Sequence, residues 1–309
     1  MRIKSAYSVV AALALITPLS APMAADGTWQ QRVGEALGKA GMEMPGGVYR
    51  VGLPRTDLHV KLDGVDIKPG LALGSWLAFK ETGGGNGDAM VMGDLVLTQD
   101  EVNPVMRKLE EGGIEITALH NHLLRNEPFT MYMHVLGHGD PVKLAAALHQ
   151  GLSLSKTPLT GGGAPASGAQ PPATQPQDLG FDSAIIDRVL GHKGKANGGV
   201  YAVSVPRAEP VKDGGMDVPE AMGSAIAINF QSTGGGKVAT TGDFVLVAQE
   251  VNPVIKAMRE NGIEVTAVHN HMLNDEPRAF FLHFWANDDV EKVAKGLRAA
   301  LDKVNVAKS

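Results

Sequence analysis

Apolar residues fall at helical spacing over Trp29, Val33, Ala36, Leu37 and Ala40, behind a Thr28–Gln31 capping pattern, and predict an opening helix. Apolar runs around 47–53, 73–80 and 90–97 then predict three strands. A second helix is expected over 104–111, entered at Asn103-Pro104 and stopped by Gly112-Gly113. Strands follow over 114–122 and 129–136, linked by a hairpin through Glu127-Pro128. A last helix starts near Asp140 or Pro141 and turns Val142, Ala145, Ala146 and Leu148 inward. Short links of this kind imply a mostly antiparallel sheet with helices packed on one face, an α+β fold. The pattern does not give the strand order.

The whole pattern occurs twice. Residues 93–134 and 242–283 align without gaps, with roughly half their positions identical. Gly47-Val48-Tyr49 pairs with Gly199-Val200-Tyr201, and Pro54-Arg55 with Pro206-Arg207. The chain is therefore two tandem repeats, 28–152 and 180–305. Between them, 153–179 is rich in Gly, Pro and Ala and too poor in large apolar side chains to order itself, so it reads as a flexible linker. Such a tether leaves the copies free to pack as an intramolecular pseudo-dimer or to stay apart. The glycine runs at 83–85 and 234–236 lack the spacing and the Lys-Ser/Thr step of a phosphate loop and read as hairpin loops, so no nucleotide cofactor is expected.

Composition narrows the classes. A net charge of -5 with no Lys/Arg-rich run argues against a nucleic-acid partner. Arg2 and Lys4 precede an apolar stretch at 9–19 and small residues at Ala21, Ala24 and Ala25. This is the build of a secretory signal peptide over 1–24, although Pro22 fits the cleavage site poorly. The alternative, an uncleaved anchor, needs about 20 apolar residues, more than this run offers. No later segment is apolar enough to cross a membrane, so the mature chain is expected to be periplasmic or secreted. The absence of cysteine excludes disulfides, thiolate ligands and a lipid-bearing cysteine.

Of ten histidines, six recur in register: His120, His122 and His134, then His269, His271 and His283. His59, His138, His149 and His192 do not recur, and His138 and His149 align with Asn287 and Arg298. Duplicated halves drift, so the retained set is informative. On a strand, His120 and His122 point to one side, about 7 Å apart at Cβ, and the hairpin can return His134 to the same pocket. Three converging imidazoles per repeat suit Zn²⁺, Cu²⁺ or Fe²⁺. Glu127 and Glu276 are the nearest recurring acids and candidate fourth ligands, and Asp94 and Asp243 are candidate partners that orient an imidazole. A purely hydrogen-bonded histidine network is the alternative. Met131 and Met133 are expected to pack, and Arg55 and Arg207 to pair with carboxylates at the surface.

The pattern Thr117 to Pro128 and its twin Thr266 to Pro277, T-A-[LV]-H-N-H-x-L-x-x-E-P with a later histidine, resembles the LppY/LpqO-type family of exported bacterial proteins. The resemblance covers both repeats and implies an exported location but no reaction. The family's name comes from lipoproteins, and this chain lacks the cysteine for a lipid. His120-x-His122 followed by Glu127 is also similar to the first metal motif of cupins, without the glycine after the acid or the second cupin motif. The expected function is a duplicated metal-binding protein with one site per repeat, its partner a metal ion or small-molecule ligand. A metal-dependent hydrolase or oxygenase, and a metal-free envelope protein that binds a ligand or partner, are the alternatives.

Overall fold

The computed structural model describes residues 27–85, 87–159 and 178–307. The expected leader, 1–24, and residues 160–177 of the expected linker lie outside the described residues.

The first repeat runs α1 (Trp29–Leu37), β1 (Met42–Met44), β2 (Val48–Pro54), β3 (Val60–Leu62), β4 (Val65–Ile67), α2 (Pro69–Ala72), β5 (Gly74–Glu81), β6 (Ala89–Thr98), α3 (Gln99–Glu111), β7 (Glu115–His120), β8 (Thr130–Gly139) and α4 (Pro141–Leu152). The second runs α5 (Ser183–Leu190), β9 (Lys195–Asn197), β10 (Val200–Val205), β11 (Val211–Asp213), β12 (Met216–Val218), a 3-10 turn (Glu220–Met222), β13 (Ile226–Gly234), β14 (Lys237–Val247), α6 (Ala248–Glu260), β15 (Glu264–His269), β16 (Asp275–Glu276), β17 (Ala279–Asp289) and α7 (Val290–Leu301).

Each repeat forms a six-stranded antiparallel sheet, in the orders β1-β2-β5-β6-β8-β7 and β15-β17-β14-β13-β10-β9. Strand β8 inserts between β6 and β7, so the helix α3 crosses over to a strand parallel to β6 but not beside it. This insertion is what the hydrophobic pattern could not give. It sets His134 opposite Asp94 on one side and opposite Ala118 on the other. In the second repeat His283 lies opposite Asp243 and Ala267 in the same way.

One face of each sheet carries the helices. In the first repeat Val33, Leu37, Val105, Leu109, Leu144 and Leu148 bury against Leu77, Phe79, Leu95, Leu97, Met133 and Val135. Met133 is fully buried there and Met131 packs at its edge, as expected. The helix-free faces turn toward each other across the molecule, and each is covered by an arm of the opposite repeat. The β3–β4 hairpin and α2 lay Val60, Leu62, Ile67 and Leu71 over Val200, Ala239 and Trp285. In return Val211, Val218 and Met222 lie over Val48, Ala78, Met90 and Met92. Side-chain amides fasten the exchange: Gln231 accepts from Lys68 N–H at 2.8 Å and donates to Asp66 O at 2.7 Å.

Two expectations change. Helix α3 begins at Gln99, so Pro104 sits inside it and not at its start. The Glu101 carboxylate, which accepts from Thr98 N–H at 2.9 Å, supplies the N-terminal partner that Asn103 was expected to provide. Residues 156–159, expected to lie in the linker, also pack on the first repeat: Lys156 N–H donates to Glu101 at 2.8 Å, Thr157 is buried, and Leu159 packs against its core.

Glu101, which accepts both of those backbone bonds, also pairs with Arg55, which is fully buried, not at the surface. It pairs with Asp57 and Glu101, each at 2.8 Å, and donates to Val96 O at 2.7 Å. Arg207 does the same with Glu209, Glu250 and Val245 O. Each arginine thus ties the end of a central strand to the start of the following helix, just beyond the aspartate of that strand.

Candidate metal centre

The strand β7 ends at His120, and a bulge between Ile116 and Ala118 adjusts its last residues. His122 therefore lies past the strand, and its placement does not follow simple alternation. The loop that carries it is held from the opposite repeat. Thr266 donates to His122 O at 2.6 Å, and Thr117 donates to His271 O at 2.6 Å. Asn121 donates across to Thr266 O at 3.1 Å.

These reciprocal bonds press the two histidine sets into one cluster. His120 stacks on His269 with ring centroids 3.6 Å apart, His134 on His271 at 3.6 Å, and His122 on His283 at 3.8 Å. Within the first repeat His120 lies 5.1 Å from His122 and 5.2 Å from His134. The expectation of a separate site in each repeat is thereby replaced. The side chains of both repeats interleave in a single centre, because the helix-free faces that bear them are opposed.

Ligand atoms of His120, His269, His271 and His283 all lie within 4.8 Å of one another. His269 Nε2 and His271 Nε2 face each other at 3.0 Å. His283 donates from Nδ1 to Gly242 O at 2.8 Å, which fixes its tautomer and leaves the Nε2 lone pair free. Asp94 lies 3.5 Å from His122 and 3.8 Å from His134, and Asp243 lies 3.7 Å from His271 and 3.9 Å from His283. The paired aspartates therefore stand beside the imidazoles, where the sequence set them. Glycine precedes each for a steric reason: a Cβ on Gly242 would fall 2.0 Å from Ala227 O.

Glu127 and Glu276 do not join the cluster. Both are exposed. Their backbones pair with Lys61 and Lys212 of their own repeat's arm, which turns them away from the histidines. The aromatic floor was not foreseen: His122 stacks on Tyr132 and His271 on Phe281, each at 3.4 Å. That Tyr132 and Phe281 share a register position was visible in the repeat alignment, but aromatic residues on a strand carry no sign of what they support.

Burial dominates the electrostatics. It drives His134 down to about 3, His269 to about 2 and His283 to about 4, with the neighbouring imidazoles adding to the shift of the first two. His120, His122 and His271 are pushed down for the same reasons. Burial raises the Asp94 carboxyl to about 8, although the Arg50 charge opposes it, and raises Asp243 as well. Buried atoms without a hydrogen-bond partner include both ring nitrogens of His120, Nε2 of His122, His134 and His283, and Oδ1 of each aspartate. Neutral imidazole lone pairs and carboxylate oxygens, gathered and desolvated, form a donor set that suits Zn²⁺, Cu²⁺ or Fe²⁺ better than the all-oxygen shells of Ca²⁺ or Mg²⁺. A cation would also remove the cost of burying so many unpaired polar atoms.

The cluster opens on a cavity of about 1140 Å³ between the repeats, with Asp94, His122, His134, Asp243, His271 and His283 in its wall.

The model of a family described as a domain of unknown function (DUF1259) matches this chain twice, over residues 31–154 and 184–303. No curated protein matches. Among solved structures, the chain is similar to a trimeric bacterial microcompartment shell protein, PduB, at 12% identity and a TM-score of 0.21, over 85% of this chain and 89% of that one. EtuB from Clostridium kluyveri follows at 10% identity and a TM-score of 0.19, over the same shares. Likenesses this slight support no argument about fold or function.

Proposed function

We propose, from the premise that this chain belongs to the DUF1259 family and carries its domain twice, that it holds a divalent transition-metal ion in one centre built by both repeats. The observation that carries this reading is the convergence of six imidazoles, three from each repeat and four of them buried, around nitrogen atoms that have no protein partner. His120, His269, His271 and His283 are the nearest set of ligands, and Asp94 and Asp243 orient or complete it. The leader-like segment and the likeness to LppY/LpqO-type proteins favour action outside the cytoplasm, in the periplasm or beyond.

Elemental mass spectrometry on untagged mature protein tests the reading, beside His120→Ala/His122→Ala and His269→Ala/His271→Ala variants. A shared centre is lost in both variants. Two ions per chain, with one kept in each variant, would mean separate sites. No ion after reloading with Zn²⁺, Cu²⁺ and Fe²⁺ would remove the metal reading.

The cavity beside the centre favours a second reading, metal-dependent catalysis on a small molecule. A bound metal supplies Lewis acidity there. The acid–base role falls to Asp94 or Asp243, which line the cavity, and not to Glu127 or Glu276. Turnover of a candidate substrate would then vanish in Asp94→Asn while the metal stays bound.

A further inference from the structure

The two halves of the cavity differ in a way that the metal does not explain. In the first repeat Arg50 on β2 lays its guanidinium 4.1 Å over the Trp76 ring on β5. One of its nitrogens, Nη1, donates to Ala221 O of the other repeat. Among the described residues no carboxylate forms an ion pair with it. It is a desolvated cation, held below its usual range at about 10 by burial, in the wall that also holds Asp94, His122 and His134.

The second repeat has no such device. The registers place Ala202 where the first repeat has Arg50, and Ala227 where it has Trp76. One half supplies a fixed positive charge and the other supplies room. By contrast the cavity's other arginine, Arg207, is already spent on Glu250 and Glu209. A half-buried guanidinium that feels the Asp94 charge but has no carboxylate in contact is costly, and a planar fork of N–H donors matches a two-oxygen acid.

We infer that this cavity binds a small organic carboxylate, with its acid group on Arg50 and its body directed toward the histidine centre. The rest of the wall chooses the class. Asp94, Glu209, Asp217, Glu220 and Asp243 line the same space and disfavour a doubly charged phosphate. Leu71, Ala72, Ala221, Ala225 and Ala227 offer an apolar surface for the body of the ligand. The inference goes beyond the metal reading and does not depend on it, because Arg50 acts on the acid whether or not a metal is bound.

Calorimetric titration of the full mature chain with benzoate, and separately with inorganic phosphate, tests it. Both metal-stripped and zinc-loaded protein are used. Benzoate should bind the wild type in either state, and Arg50→Gln should weaken it by about tenfold or more, the loss of charge-assisted bonds. Metal content of Arg50→Gln should equal that of the wild type, which separates loss of this site from loss of the centre. Should Arg50→Gln fail to fold, tryptophan emission decides: the benzoate-induced change must disappear in Trp76→Phe and persist in Trp29→Phe. No benzoate binding to the wild type, equal binding by Arg50→Gln, or tighter binding of phosphate than of benzoate overturns the inference.

Discussion

A buried imidazole and a buried carboxyl pull stability in opposite directions as pH changes. The folded values of His134, His269 and His283 are depressed to about 3, 2 and 4, below the ordinary 6.5. Their contribution is present above 6.5 and is lost as pH falls through the folded values, because the unfolded chain takes up protons first. Asp94 runs the other way: its contribution is present below 3.8 and is lost as pH rises through about 8. Six depressed histidines face two raised aspartates, so the imidazoles win in mild acid. Each group is worth at most about 1.4 kcal/mol per pH unit. Metal-stripped protein should therefore lose Tm between about pH 6.5 and pH 4, followed by calorimetry. A Tm that is flat or rises on acidification would show that the cluster is not buried neutral. The histidines themselves were legible because they recur while their neighbours drift. Arg50 was not, because a repeat comparison finds what two halves share and passes over a residue that only one half has.

At the scale of the element, the buried arginines hold the strand–helix joints behind the centre. Arg55→Ala would leave Glu101 buried and unpaired at the start of α3. Breaking a buried pair from one side costs about 3–5 kcal/mol. Denaturant unfolding should show a loss of that order, and a change under about 1 kcal/mol would class the pair with surface bridges. The helices and the long strands could be read from apolar spacing, since each buries one face on a local core. The β3–β4 arm could not. Its strands, Val60–Leu62 and Val65–Ile67, are three residues each, and their apolar side chains join a cluster apart from the helix-covered core, made by Val96 and Tyr132 of their own sheet with Val200, Ala239 and Trp285 of the other repeat. Only the meeting of the two sheets explains them. The same holds for Glu127: it looked like a ligand by its spacing from His122, but backbone pairing with Lys61 assigns it to the arm.

Across the whole molecule, the centre exists only where the two repeats meet. Thr117 and Thr266 each bond the carbonyl of a histidine in the other repeat. Thr117→Val/Thr266→Val keeps the shape of both side chains and removes both bonds. Each buried carbonyl left without a partner costs about 1–3 kcal/mol. The double variant should fold with a lowered Tm and give up zinc to a competing chelator more readily than the wild type. If its zinc affinity is unchanged, the threonines serve docking alone and do not position His122 and His271.

The crossed arrangement of arms and histidines also bears on why the domain is carried twice. A chain with one copy would bring half the imidazoles and would have to meet a second molecule to complete the set. Its occupancy would then rise and fall with its own dilution. Covalent linkage converts that encounter into an intramolecular one, at an effective concentration of about millimolar order. Once linked, the halves no longer need to be alike. One can trade an arginine and a tryptophan for alanines, as Ala202 and Ala227 show, and a symmetric pair could never hold a lopsided ligand so.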